Sequence, residues 1–235
     1  MTTRLIIVRH GNTFAAGETP RRVGGRTDLP LVETERGTNV GKYLLLKGWR
    51  PDAVFSSPLK RTMETATLAV KAMGLSLPIL EESSFREVDY GPDENKTEEE
   101  VKARLGRLYL EKEGKTVSDP EEVQARGEAV LKEWDQNAVV PAGWKVSVEG
   151  LIETWKDFAA KIEKDYKNKT VLAVSSNGVI RFAPYLTGDF AKFCQNFDIK
   201  VPTGGVCVLE KEDGAAVWTC AEWGVKPKKI LESLS

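Results

Sequence analysis

The sequence predicts an α/β fold: a mostly parallel central sheet flanked by helices on both faces, with a helical insertion near one rim. Three observations predict it. Short apolar, β-branched runs alternate with stretches of helical periodicity. Turns rich in glycine and serine separate them. One charge-rich stretch, from Asp93 to about Asn137, interrupts the alternation. At 235 residues the chain is long enough for one well-buried core. It reads as a single domain over 1–235, with 93–144 as the insertion, expected to lie over the pocket.

Leu5-Ile6-Ile7-Val8 reads as a buried strand that ends at Arg9-His10-Gly11 and leads into a loop carrying Gly17, Gly24 and Gly25. Thr34 is a good N-cap for a helix that stops at Gly48. Ala53-Val54-Phe55-Ser56 is the second strand. Pro58 suits the first turn of the next helix, whose stripe is Leu59, Met63, Ala66, Val70 and Met73, closed by Gly74. Pro78-Ile79-Leu80 is the third strand. In the insertion, Thr97-x-x-Glu100 is a capping box for a helix with Val101, Leu105 and Leu108 inward; Ser118-Asp119-Pro120-Glu121 starts a second. The charges there read as solvated faces. After a turn at Pro141-Ala142-Gly143, Val148, Leu151, Ile152, Trp155, Phe158 and Ile162 line one face of an amphipathic helix. Thr170-Val171-Leu172-Ala173-Val174 is a buried strand. Ser175-Ser176-Asn177-Gly178 then turns into a helix with Val179, Ile180, Phe182 and Leu186. Residues 205–209 and 216–220 pair as a hairpin around Glu212-Asp213-Gly214.

The formal net charge is −1, so no global field draws the chain to nucleic acid or a membrane surface. Affinity for an anion has to come from a local cluster of cations. No apolar run approaches the roughly 20 residues of a membrane span. Cys194, Cys207 and Cys220 lack ligand spacing and read as free thiols of a cytoplasmic protein. The chain has one histidine, which excludes a multi-histidine zinc site and any mechanism needing two imidazoles. No metal and no cofactor is expected; oligomeric state is left open.

Ligands of open α/β sheets bind beyond the carboxyl ends of the strands. Arg9-His10-Gly11, Ser56-Ser57-Pro58 leading to Arg61, and Ser175-Ser176-Asn177-Gly178 fall at such ends, and Glu87-Val88-Asp89-Tyr90-Gly91 follows the third strand. Arginines, one histidine and carboxylates at one rim suit a phosphate monoester, because guanidinium forks match phosphoryl oxygens.

These blocks resemble the histidine phosphatase superfamily, also called phosphoglycerate mutase-like. Arg9-His10-Gly11-Asn12-Thr13, Thr34-Glu35-Arg36-Gly37, Ser56-Ser57-Pro58-Leu59-x-Arg61 and Phe85-Arg86-Glu87-x-Asp89-Tyr90-Gly91 occur in the family's order. The resemblance implies that His10 accepts the phosphoryl group and Glu87 donates the proton. Arg9, Arg61, Asn12, Ser176 and Asn177 are then the phosphate-binding residues, and a small phosphorylated metabolite is the partner. The sequence departs from the family in two places. A second histidine is missing: aligned without a gap, Ser176 takes its place, and with a one-residue shift Asn177 does. Phe14, Ala15 and Ala16 stand where dedicated mutases carry a Trp-Asn pair, and residues 93–137 hold no adjacent arginines. The reading is therefore a phosphatase, with a mutase or a non-catalytic phosphate binder as alternatives.

Overall fold

The computed structural model describes residues 1–115 and 119–234. They fall into two compact units: Met1–Ala15, Leu29–Glu87 and Glu149–Ser235 form one, Ala16–Asp28 and Val88–Val148 the other. Ser118, read as part of a helix start, lies outside the described residues.

The first unit is built on one six-stranded sheet. Its strands are β1 (Thr2–Arg9), β2 (Ala53–Ser56), β3 (Ile79–Glu81), β4 (Thr170–Ser175), β5 (Val206–Glu212) and β6 (Thr219–Val225), in the order β3-β2-β4-β1-β5-β6. The β3, β2, β4 and β1 ladders are parallel, and β5 and β6 add an antiparallel edge. Burial on both faces explains why β1, β2 and β4 read as nearly unbroken apolar runs. Ile6, Val8, Val54, Leu172 and Val174 point to one face. There they pack on Val40 and Leu44 of α1 (Glu35–Leu46) and on Ala66, Ala69 and Val70 of α2 (Lys60–Ala72). The alternate residue Phe55 points the other way. It meets Phe158 edge-on at 5.1 Å, and Phe158 and Trp155 hold Phe85 between them at 4.6 and 4.7 Å. So helices do flank both faces.

In the second unit, α3 (Glu98–Lys112) opens with the expected capping box, and Val101 and Leu105 are buried. Leu108 is a correction: it is 40% exposed, and Leu110 is buried instead. The reason is the close approach of α4 (Pro120–Asn137). A Cβ on Gly106 would sit 1.9 Å from the Val123 carbonyl oxygen, and one on Gly127 would sit 1.9 Å from that of Lys102. The contact therefore runs through Lys102 and Gly106 on α3 and Val123 and Gly127 on α4. Asp93 is a second correction. Far from being a solvated charge, it is 1% exposed; it accepts Trp144 Nε1–H at 2.7 Å and a bidentate fork from Arg104.

The chain continues as α5 (Val148–Asp165), whose Trp155, Phe158 and Ile162 are buried as read. The helix expected after Ser175 is broken. A single turn, α6 (Asn177–Ile180), gives way to a 3-10 turn at Ala183–Thr187, where Pro184 cannot donate its backbone nitrogen. The hairpin forms, but its second strand starts three residues later than read, with Leu209 opposite Cys220 and an irregular register near Val208. Two short helices escaped the sequence reading, α7 (Phe190–Asn196) and α8 (Pro227–Glu232), because one or two turns show too little periodicity. No helix among the described residues is long and apolar enough to cross a membrane.

Gly106→Ala is expected to force α3 and α4 apart and to destabilise the protein by about 1–3 kcal/mol in urea unfolding. An unchanged midpoint would mean that these helices do not touch through their backbones.

Candidate active site

The register of the parallel strands sets the site. Arg9 pairs with Ser175 across β1 and β4, and Ser56 pairs with Val174 across β2 and β4. Three strands thus end level. The His10 N–H donates to Ser175 O at 3.1 Å, and the Ser57 N–H donates to Val174 O at 3.0 Å, continuing both ladders one step past the strands.

His10 is buried, with 7% of its surface exposed. Its Nδ1 lies 2.7 Å from the Gly11 carbonyl oxygen. A carbonyl can only accept, so Nδ1 carries the proton and, in the neutral ring, Nε2 keeps its lone pair. Burial holds the His10 pKa well below its usual range, the positive fields of Arg61 and Arg9 push it further down, and the Gly11 carbonyl opposes them. Burial and both arginines favour the neutral ring.

Arg61, in the first turn of α2, is fully buried. Arg9 donates from Nη1 to Val201 O at 2.6 Å. The Thr65 hydroxyl donates to Arg61 O at 2.7 Å and accepts the Gly11 N–H at 3.0 Å, which ties the start of α2 to the loop after β1. Glu87 is 7% exposed and accepts the Gly178 N–H at Oε2, 3.3 Å. Asn177 Oδ1 accepts the Val201 N–H at 2.9 Å, so Asn177 and Arg9 hold the two backbone groups of the same residue. Ser176 has no exposed surface, and its Oγ has no hydrogen-bond partner among the described residues. Asp89, the other carboxylate of the Glu87 block, belongs to the second unit. There it accepts from Arg26 Nε at 3.0 Å and from the Gly91 N–H at 2.7 Å.

All seven candidate residues thus lie in the first unit, at or just after the ends of β1 and β4, in α2 and on the approach from β3. The sequence reading missed Thr65, Glu33, Arg36, Thr203 and Gly204. Thr65 lies one helical turn after Arg61, and Arg36 stands within the Thr34-Glu35-Arg36-Gly37 block. Thr203 and Gly204 reach Asn12, Arg9 and His10 from more than 190 residues away, and no local signal announces that.

The model of the histidine phosphatase superfamily (branch 1) matches residues 5–140. A 2,3-bisphosphoglycerate-dependent phosphoglycerate mutase of Bifidobacterium longum (strain DJO10A) is 27% identical over 190 residues, 77% of this chain and 75% of that protein. An uncharacterized phosphatase, PhoE, of Bacillus subtilis (strain 168) is 34% identical over 110 residues, 46% of this chain and 54% of that one. Among solved structures, phosphoglycerate mutase from Bacillus anthracis str. Sterne superposes with a TM-score of 0.73 at 22% identity, covering 100% of this chain and 97% of that one. A mycobacterial glucosyl-3-phosphoglycerate phosphatase superposes with a TM-score of 0.65 at 19% identity, covering 96% and 100%.

Because His10 is the only histidine, its ring gives a single imidazole signal in NMR. Its titration midpoint is expected to lie below the ordinary midpoint near 6.5. The sign of the stability effect follows. The unfolded chain takes up the proton that the folded one refuses, so this contribution is present above about pH 6.5 and is lost as pH falls. A titration midpoint at 6.5 in the folded protein would contradict the burial and the two fields.

Proposed function

The chain belongs to the histidine phosphatase superfamily (branch 1), and on that premise we propose that it is a phosphomonoester hydrolase acting through a phosphohistidine on His10. The observation that carries the proposal is the buried, neutral His10 ring, its Nδ1 tied to Gly11 O in the field of both arginines. A neutral imidazole with a free Nε2 lone pair is the form that attacks phosphorus.

In the first step Nε2 forms a bond to phosphorus in line with the departing ester oxygen, and the P–O bond breaks. Arg9 and Arg61 hold the equatorial oxygens, where the transition state spreads its charge. Asn12, Ser176 and Asn177 are neutral donors to the same group. Glu87, in its acid form, gives its proton to the leaving alkoxide. In the second step the Glu87 carboxylate takes a proton from water, the water oxygen bonds to phosphorus, and the P–N bond breaks. Inorganic phosphate leaves and His10 is neutral again. The arginines supply the charge that a metal supplies elsewhere, so the reaction runs without one. A small phosphorylated metabolite is the substrate, and the three free thiols suit the cytoplasm. Phe14, Ala15 and Ala16, in place of a Trp-Asn pair, favour hydrolysis over a mutase reaction.

His10→Ala is expected to abolish turnover and the acid-labile phosphoryl label. Glu87→Gln should slow an alkyl phosphate far more than p-nitrophenyl phosphate, whose leaving group hardly needs a proton. Full activity in His10→Ala ends the proposal, and equal losses on both substrates remove Glu87 from the acid role.

Ser176 stands where the family has its second histidine, and its unpartnered hydroxyl supports that register over Asn177, whose oxygen is already engaged. Ser176→His should raise turnover by on the order of 100-fold or less, most at mildly acidic pH where the imidazole is charged. A gain in Asn177→His alone would shift the register by one residue. Normal phosphate binding without gain in either would mean that the pocket works with a neutral donor.

A further inference from the structure

Asn12 follows the Gly11 whose carbonyl fixes the His10 ring, and its carboxamide is held by residues with no assigned role. Only one orientation of the amide satisfies its surroundings. The nitrogen donates to Thr203 Oγ1 at 2.7 Å, and the oxygen accepts from Arg36 Nη1 and Nη2 at 3.0 and 3.3 Å. Reversed, the NH2 would face a guanidinium, two donors against each other.

Arg36 is held in turn by Glu33. Glu33 Oε1 accepts from Arg36 Nη1 at 3.3 Å and from the Asn12 N–H at 3.2 Å, while Oε2 accepts the Arg36 N–H at 2.9 Å. That last bond caps α1 in place of Thr34, whose side chain makes no capping bond. The loop at Thr203 closes the network. Gly204 has a φ of 68°, donates its N–H to Arg9 O and His10 O, and lies so close that a Cβ on it would come 2.8 Å from Arg36 Cβ.

Two features argue that this arrangement serves orientation. Arg36 sits in the first turn of α1, where the helix dipole opposes a cation. Its side chain is 38% exposed and that of Glu33 is 24% exposed, and an ion pair so wet adds little to stability.

We infer that Glu33 and Arg36 are positioning residues, fixing the Asn12 carboxamide so that one N–H binds Thr203 and the other is left for a phosphoryl oxygen at His10. The inference rests on the reading that Asn12 serves the phosphoryl group, so its test uses two readouts: kcat/KM on p-nitrophenyl phosphate and calorimetric binding of inorganic phosphate. The full-length Asn12→Ala, Arg36→Met and double variants are compared, with thermal melts as the check on folding. Each single change is expected to weaken phosphate binding about tenfold, the scale of one hydrogen bond to a charged group. The double variant is expected to be no weaker than Asn12→Ala alone. Arg36→Lys, which keeps the charge beside Glu33 but cannot fork the amide, should recover part of the loss. A purely structural arginine would lower the melting temperature and add its loss to that of Asn12→Ala; additive losses, or full binding in Arg36→Met, overturn the inference. The same non-additivity of phosphate binding across the variants, with a wild type that hydrolyses no ester, would uphold it while ending the hydrolase reading.

Discussion

The level pairing of β1 with β4, Arg9 opposite Ser175, is the constraint on which the site depends. Side chains alternate along a strand, so a slip of one residue would exchange the faces of Ile6 and Ile7 and swing His10 to the other side of the sheet. The core prevents the slip. Ile6 and Val8 pack against α1 and α2, and burial on both faces leaves no neutral alternative register. Packing at the centre of the sheet thereby determines chemistry at its edge.

Electrostatics at that edge runs against the composition of the chain. The formal net charge is −1, yet two arginines act on one imidazole, and one of these guanidiniums is fully buried. In the proposed reaction, the fields that would suit a phosphoryl dianion are the ones that favour the neutral His10 ring, so affinity and nucleophile would come from one arrangement. Ser176, proposed to stand in the place of the second imidazole, has its Oγ buried without a hydrogen-bond partner among the described residues.

The second unit obeys a different rule. Its surface is charge-rich, as composition suggests, but Asp93 draws Arg104 and Trp144 into a buried knot, and Arg22 lies over the Tyr90 and Trp144 rings at 5.2 and 5.0 Å. Periodicity cannot separate such a carboxylate from its solvated neighbours, because its partners lie 11 and 51 residues away.

The sequence by itself determined the strands, the long helices and the ordered blocks that carry His10, Arg61 and Glu87, because local apolar pattern, caps and short motifs act over a few residues. It also exposed the missing histidine, since an absent residue needs no geometry to be seen. Tertiary structure alone decided the tautomer and charge of His10, the capping of α1 by Glu33 in place of Thr34, the burial of Asp93 and the grip of Glu33, Arg36 and Thr203 on Asn12. Each of these depends on a hydrogen bond or a field in a three-dimensional setting, often between residues far apart in the chain. Such interactions take effect only after the core has fixed which strand ends lie level and which loops meet.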